Sequence, residues 1–414
     1  MNTALQSSTL ALDPMLVKVD WGDVLTVVVK VVIAFALLLV SVMLMIWFER
    51  KVISKMQNRI GPNKAGPWGI LQTLADGIKL FFKEDLIPEK SDRFVFKLAP
   101  YLSLVPAFLT FAVVPVGGRF GGETGGTVGM FGDRTFLQVV DAPIGILFFL
   151  AMSSLAVYGI MLAGWSSGSK YPLLGSVRAS AQMVSYEAAL GLALAAVLLK
   201  SGSLSTNAIV GSQVGNIVDW NLVQTWGVPF IIFLIAGTAE LNRPPFDLVE
   251  AEQELVGGFH TEYSSIRFAL FFLAEFMNTI TMSAIIVTVF LGGPNGPSVG
   301  AFPGWVNAGI MPTFWFMVKL LVFLFAFVWF RGTLPRFRYD QLMDLGWKVL
   351  IPLALGWFVM LGAVDTLEGR GWDVGGRIAV VAISFTAMGL GWLLLRGAVR
   401  SGKRKRIELE EVAA

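Results

Sequence analysis

The sequence predicts an all-α protein that crosses a membrane about nine times and carries one further amphipathic helix at the cytoplasmic surface. Its 414 residues are 55% hydrophobic and only 15% charged, which is too little polar material to coat a soluble globule of this size. The apolar residues also form runs close to the roughly 20 residues that a helix needs to cross the apolar core of a bilayer. These runs lie near residues 24–48, 94–116, 142–164, 178–200, 226–242, 266–292, 311–331, 347–363 and 378–395.

The basic residues predict how the chain is oriented in the membrane. Most Lys and Arg lie in alternate connections, whereas the connections 201–225 and 293–310 contain none. Because basic residues near the ends of spans stay on the cytoplasmic side, we expect an external N-terminus and a cytoplasmic C-terminus. The predicted division is an external segment 1–23, one helical membrane domain 24–395 and a basic cytoplasmic tail 396–414. The basic connections on the cytoplasmic side are 49–93, 165–178, 243–267 and 331–348.

The composition also limits the chemistry of this chain. It contains no cysteine and a single histidine, His260, so disulfides, thiolate nucleophiles, iron-sulfur ligation and a bis-histidine haem are excluded within it. The Gly-rich segment 117–132 follows no predicted strand and lacks a phosphate-binding spacing, so we expect an external flexible loop. We therefore predict no metal site and no catalytic side chain in this chain.

An amphipathic helix is predicted between the first two spans. Ile70, Leu74 and Ile78 fall on one side of such a helix, whereas Asp76 and Lys79 fall on the other. A helix with this pattern lies in the membrane interface. The Gly- and Pro-containing stretch 61–67 before it is predicted to form a shaped, non-helical loop.

Three carboxylates lie inside predicted spans. Glu187 and Glu275 each lie about nine residues into their spans, roughly 13 to 15 Å below the cytoplasmic end, and Glu240 lies near the cytoplasmic end of the fifth span. An ionisable group inside a membrane costs several kcal/mol, so it is a functional candidate by default. The alternative is an acid that is hydrogen-bonded within the bundle and serves packing alone.

The connection between the fifth and sixth spans is rich in acids. Two prolines followed by Asp247 and Glu250 predict the N-terminus of a helix, in which Asp247, Glu250 and Glu254 share one face and Glu252 points away. Acids that are close together and partly desolvated titrate in a coupled way, as a proton path or charge relay requires. The alternative is a solvated acidic loop.

Three segments resemble signatures of the H-subunit family of complex I, the NADH:quinone oxidoreductase, which includes mitochondrial subunit 1. The first signature spans 49–90 with Glu49-Arg50-Lys51 and Gln57-Asn58-Arg59-Ile60-Gly61-Pro62, the second spans 240–265, and the third is Pro335-Arg336-Phe337-Arg338-Tyr339-Asp340-Gln341-Leu342 at 335–342. The segments occur in the family's order, so the chain is identified as a member of that family.

The resemblance implies a membrane protein that lines a quinone chamber and links quinone reduction to proton pumping. It implies that the quinone, either ubiquinone or menaquinone, is the substrate, and that flavin and iron-sulfur clusters are held by partner subunits. The implied partners are peripheral-arm subunits on the cytoplasmic side and antiporter-like membrane subunits, in a bacterial plasma membrane. The residues implied for the chamber are Arg50, Arg59, Asp76, Arg243, Phe246 and Asp247, and those for the proton path are Glu187, Glu240, Glu250, Glu252, Glu254, Glu262 and Glu275.

Two departures and two alternatives accompany this resemblance. Thr73 stands where the family usually has proline, and the ninth span with its basic tail extends beyond the eight-helix members. One alternative function is a related membrane component of an energy-converting hydrogenase, which uses no quinone. The other is a proton-coupled secondary transporter using Glu187 and Glu275, although no internal repeat supports it.

Overall fold

The structure is a computed structural model that describes residues 21–120, 125–130, 133–248, 256–297, 306–369, 381–386, 389–391, 393 and 397. Within these ranges the protein is mostly helical with one short two-stranded sheet, which confirms the predicted all-α membrane fold. The helices are α1 (Trp21–Met56), α2 (Gln72–Phe82), α3 (Arg93–Phe111), α4 (Gly145–Ser166), α5 (Lys170–Ser201), α6 (Thr206–Ser212), α7 (Asn221–Gln224), α8 (Val228–Glu240), α9 (Ser265–Phe290), α10 (Met311–Thr333), α11 (Tyr339–Leu345) and α12 (Ile351–Gly369).

Seven helical segments in the described residues are long and apolar enough to cross a membrane, so the predicted number of nine is not confirmed. The fifth predicted span corresponds to α8, which has 13 residues and is about 20 Å long, short of the roughly 30 Å hydrocarbon core. The eighth is longer than predicted, because α11 and α12 are joined by the π-helical turn Gly346–Leu350. Of the predicted ninth span, residues 381–386, 389–391 and 393 are described, and they are helical. The basic tail 396–414 lies outside the described residues apart from Gly397.

The helices pack closely because small residues lie at their crossings. Gly159 of α4 approaches α3 so closely that an added Cβ would overlap the Ser103 hydroxyl, and Gly164 approaches Ser176 of α5 in the same way. Such contacts bring helix backbones together inside a membrane, where apolar burial alone does not drive association. Helix α9 is central, with nearly every residue from Phe276 to Phe290 buried, whereas α1 exposes much of its apolar surface.

The predicted amphipathic helix is present as α2. No residue of this helix is buried, and its apolar side chains Leu74, Ile78 and Phe81 are exposed, as expected of a helix that lies on a membrane surface. The preceding loop is non-helical as predicted, apart from the single 3-10 turn Pro67–Gly69. Thr73 donates a hydrogen bond to the Met43 carbonyl of α1 at 3.2 Å and so fastens α2 to α1.

Two local predictions were wrong. The Gly-rich segment is not a plain flexible loop, because strands β1 (Thr127–Met130) and β2 (Asp133–Phe136) pair as an antiparallel hairpin that begins inside it. Residues 244–248 form a series of turns and not the predicted first turn of a helix, whereas the rest of that predicted helix, residues 249–255, lies outside the described residues. There the Asp247 carboxylate accepts a hydrogen bond from Arg336, and the Phe246 carbonyl accepts one from Gln182. These long-range partners satisfy the groups that would otherwise have capped or continued a helix.

Candidate functional site

A cleft of about 460 Å³ opens between the end of α1, the loop that follows it, α9 and α10. This volume falls within the range of small-molecule sites. Two of the predicted chamber residues, Arg50 and Arg59, line it together with Glu49 and Arg331, while Phe272 and Phe276 supply aromatic wall. The cleft therefore combines hydrogen-bond donors with an apolar surface that suits a flat ring.

Asp76 supports the cleft from α2 and does not line it. Its carboxylate accepts from Arg50 at 2.7 Å and from the Gln72 amide at 3.2 Å. Burial opposes ionisation of Asp76, but the hydrogen bonds from Arg50 and Gln72 outweigh it and hold the pKa of this carboxyl below its usual value. Asp76 therefore carries a negative charge at neutral pH and orients the Arg50 guanidinium.

Glu49 is a central member of the site that the predicted set of site residues omits. Its side chain is 5% exposed and accepts from two arginines, Arg243 at 2.8 Å and Arg331. Its position in the sequence contained a signal, since it directly follows the first predicted span, 24–48. A carboxylate at such a place is either exposed at the interface or paired within the protein, and the two arginines that pair with it are distant in sequence.

Arg243 connects the cleft with the membrane acids. Its guanidinium pairs with Glu49 and also contacts the Glu275 carboxylate, with 3.0 Å between Nε and Oε1. The group lies over the Phe276 ring, 4.3 Å from its centre, which is within cation-π range. One buried arginine thus spans the distance between an acid of the cleft wall and an acid of the predicted proton path.

Two neighbouring serines of α4 bind the other two intramembrane acids. Ser153 donates to Glu240 and Ser154 donates to Glu187. The second oxygen of Glu240 is buried and has no hydrogen-bond donor among the described residues. Adjacent hydroxyls on one helix therefore hold two acids from α8 and α5 side by side.

A small cavity of about 50 Å³ joins Glu240 to Glu275, and Asn242, His260 and Asn278 also line it. Its size exceeds the 10 to 15 Å³ that one water requires, and its polar lining offers the two to four partners that a buried water needs. The three predicted acids Glu187, Glu240 and Glu275 are thus brought into one region by α4, α5, α8 and α9. A chain of hydroxyls, carboxylates and water is able to pass protons.

The remaining predicted residues are placed differently. Phe246 stacks on Phe337, with 5.4 Å between ring centres, and Asp247 pairs with Arg336 at 3.2 Å. Phe246 and Asp247 therefore contact the segment 335–342 and do not line the cleft. Glu262 is partly exposed and makes no hydrogen bond or ion pair with any other described residue. Glu250, Glu252 and Glu254 lie outside the described residues.

Gln182 of α5 is another residue that the predicted site set omits. Its side chain is buried, and its amide donates to the Ala239 carbonyl at 2.8 Å and to the Phe246 carbonyl at 2.9 Å. These carbonyls flank the segment that carries Glu240 and Arg243. Gln182 therefore holds the end of α8 in register with the turn that follows, and its small-residue surroundings in sequence gave no indication of these partners.

Comparison with known proteins identifies the family. Residues 29–362 match the family model described as NADH dehydrogenase. A relative in Frankia casuarinae, named as the H subunit of NADH-quinone oxidoreductase, is 56% identical over 332 residues, which cover 80% of this chain and 71% of the relative. Relatives of the same name in Streptomyces avermitilis and Frankia alni are 49% and 51% identical, covering 87% of this chain and 80% and 79% of their own lengths. The chain belongs to the family of NADH-quinone oxidoreductase H subunits, which are membrane subunits of complex I.

Proposed function

We propose that this protein forms the quinone-binding chamber of its complex and the acidic path that couples quinone reduction to proton pumping. The observation that carries the proposal is Arg243, which pairs with Glu49 of the cleft and Glu275 of the membrane acids. A charge change at either carboxylate alters the electrostatic energy of the shared arginine, and through it the proton affinity of the other. The residues of the two regions are therefore electrostatically linked.

The cleft suits the head group of a quinone. Quinone carbonyl oxygens accept hydrogen bonds, and the guanidinium groups of Arg50 and Arg59 are permanent donors. The Phe272 and Phe276 side chains give apolar surface for the ring. Whether the quinone is ubiquinone or menaquinone depends on its ring substituents, and both present the carbonyls on which this argument rests.

Partners supply the electrons in this proposal. The chain has no cysteine and one histidine, so partner subunits must hold the flavin and the iron-sulfur clusters. The family resemblance implies that these partners are peripheral-arm subunits at the cytoplasmic side and that the pumped protons pass through antiporter-like membrane subunits. The basic connections put the N-terminus outside and the C-terminal tail in the cytoplasm of a bacterial inner membrane. The domain division of 1–23, 24–395 and 396–414 follows from the same distribution.

The chamber is tested by the position at which a photoreactive quinone attaches to the assembled complex. We expect labelling of the peptides that contain residues 46–59 or 272–276, and loss of that labelling when unlabelled quinone is in excess. Arg59→Ala should raise the quinone KM by about 10-fold or more, since a hydrogen bond from a charged group is worth about 1.5 to 3 kcal/mol. Lys64→Ala is the matched control, because Lys64 is exposed on the same loop and does not line the cleft. The proposed chamber would be refuted if excess quinone suppressed labelling only at another place and if Arg59→Ala left the quinone KM unchanged.

A further inference from the structure

A second cleft lies at the opposite end of α1 from the quinone cleft. Its volume is about 190 Å³, and its walls come from α1, the end of α3, the segment after β2 and the start of α10. Most of the lining is aliphatic or aromatic, including Ala34 and Leu37 of α1. Three polar side chains, Lys30, Gln138 and Thr313, also line it, so the cleft has a polar part and an apolar part.

The polar part lies at the level of a membrane boundary. Lys30 and Glu49 are on one continuous helix, and the rise of 1.5 Å per residue separates them by about 28 Å. This separation matches the roughly 30 Å thickness of the hydrocarbon core. Glu49 borders the quinone cleft on one surface, so Lys30 lies at the other. Ala34 and Leu37 are one and two helical turns deeper, and the apolar part of the cleft therefore extends from Lys30 toward the bilayer centre.

The hairpin and the segment after it hold the Lys30 and Gln138 side chains. The Lys30 ammonium donates to the Thr135 hydroxyl of β2, and Lys30 is 8% exposed. Gln138 is 5% exposed, and its amide nitrogen donates to the Val140 carbonyl at 2.6 Å and to the Asp141 carboxylate at 3.3 Å. The amide oxygen of Gln138 is buried with no donor among the described residues. An unsatisfied buried acceptor costs about 1 to 3 kcal/mol, so a ligand that donates to it is stabilised there.

We propose that this cleft binds a phospholipid with an amine in its headgroup. An acyl chain of the lipid lies along Ala34 and Leu37, the phosphate faces Lys30, and the headgroup ammonium faces Gln138. The phosphate accepts from a lysine cation. The headgroup ammonium donates to the Gln138 oxygen, and the Asp141 carboxylate, which accepts from the nitrogen of the same amide, adds negative charge nearby. A quinone has an apolar tail but no charged headgroup, and an apolar helix of a neighbouring protein supplies neither the phosphate nor the ammonium.

The test uses a photoreactive amino acid at position 37 of the assembled complex, reconstituted in vesicles with equal amounts of phosphatidylethanolamine and phosphatidylcholine. Cross-linked lipid is identified by mass spectrometry. Position 32 is the control, since Val32 is 59% exposed on α1 and samples bulk lipid. We expect phosphatidylethanolamine to exceed phosphatidylcholine several-fold at position 37 and to equal it at position 32. Lys30→Gln and Gln138→Leu should each lower the ratio of cross-linked phosphatidylethanolamine to phosphatidylcholine at position 37 toward one.

Each alternative occupant gives a distinct result. Equal labelling of the two lipids at both positions shows a bulk lipid surface, and cross-linking to a protein shows a helix of a neighbouring chain. Cross-linking to quinone shows a tail site. Any of these outcomes overturns the proposal. Because Lys30 and Gln138 also contact the hairpin, Ala34→Phe provides an independent variant that fills the apolar part, and it should abolish the lipid preference while NADH-dependent quinone reduction persists.

Discussion

Glu49 and Arg243 are 194 positions apart in the sequence, yet they form an ion pair of 2.8 Å in which both side chains are at most 5% exposed. A buried pair of this kind contributes little net stability, but loss of one partner leaves an uncompensated charge and costs about 3 to 5 kcal/mol. The pair lies at the junction of the cleft and the intramembrane acids.

The first prediction concerns the pair itself. Glu49→Gln removes the negative charge between Arg243 and Arg331, so quinone reduction should fall at least about 10-fold, while NADH oxidation by an artificial acceptor stays normal in the complex that assembles. Glu49→Asp keeps the charge and should retain more activity. Asp365→Asn is the control, since Asp365 pairs with Lys200 at 3.5 Å with both side chains well exposed. Normal quinone reduction in Glu49→Gln would show that Arg243 does not link the cleft to the intramembrane acids.

The second prediction concerns the intramembrane acids. Glu187→Gln and Glu275→Gln keep shape and hydrogen-bonding capacity but remove the charge change, so quinone-dependent proton pumping should fall roughly 10-fold with assembly intact. The measurement is proton yield and quinone-dependent rate in reconstituted vesicles. If both variants pump at the wild-type yield, the acids serve packing and not proton transfer.

The third prediction concerns Arg50 and Asp76. Their side chains are 43% and 28% exposed, so the pair contributes at most about 1 kcal/mol to stability, and Asp76→Asn and Arg50→Ala should leave the thermal midpoint almost unchanged. Both should nevertheless raise the quinone KM by about 10-fold, because Arg50 loses its orientation or its donor. Lys79→Ala on the same helix is the control. Since the pKa of Asp76 lies below its usual value, lowering the pH from about 8 to about 5 should not break this pair. If both variants kept the wild-type quinone KM, Arg50 and Asp76 would form an ordinary surface ion pair with no role in quinone binding.

The fourth prediction concerns the acidic connection between α8 and α9. The double variant Glu250→Gln with Glu254→Gln removes two like charges that the sequence places on one helical face. Pumping yield should fall more than NADH oxidation by an artificial acceptor, because a coupled carboxylate cluster no longer changes its charge when the chamber takes up protons. Glu89→Gln in another connection, where the side chain is exposed, is the control. Unchanged yield and rate in the double variant would show a solvated loop.

The fifth prediction concerns pH and His260. Burial lowers the pKa of His260 to about 4, against the opposing effect of its hydrogen bond to the Gly257 carbonyl. The unfolded imidazole titrates near 6.5, so between about pH 6.5 and 4 the unfolded state binds more protons and the folded state loses stability as the pH falls. Thermal inactivation of the complex should therefore accelerate with acidification across this window. His260→Asn retains a side-chain N–H donor and should weaken that pH dependence. An identical pH profile would show that the imidazole does not titrate on unfolding.

The amino-acid sequence by itself determined the helical membrane fold, the interfacial helix and the acids Glu187, Glu240 and Glu275. These follow from local properties, since the length of an apolar run and the period of 3.6 residues act within one segment. The shortness of α8 was visible as a short run. The continuation of α11 into α12 was not, because Asp340, Gln341 and Asp344 place α11 outside the apolar run, although the π-helical turn Gly346–Leu350 joins the two helices.

Only the tertiary structure decided which side chains meet. Glu49 pairs with Arg243 and Arg331, Ser153 and Ser154 bind Glu240 and Glu187, and Gln182 joins Ala239 to Phe246. Each pairing joins residues that are 33 or more positions apart. Local sequence patterns do not encode such long-range pairings, because the pairings depend on where the helices cross. The physical reason is that a buried charge or amide must find a partner, but which partner it finds is determined by the packing of the whole bundle.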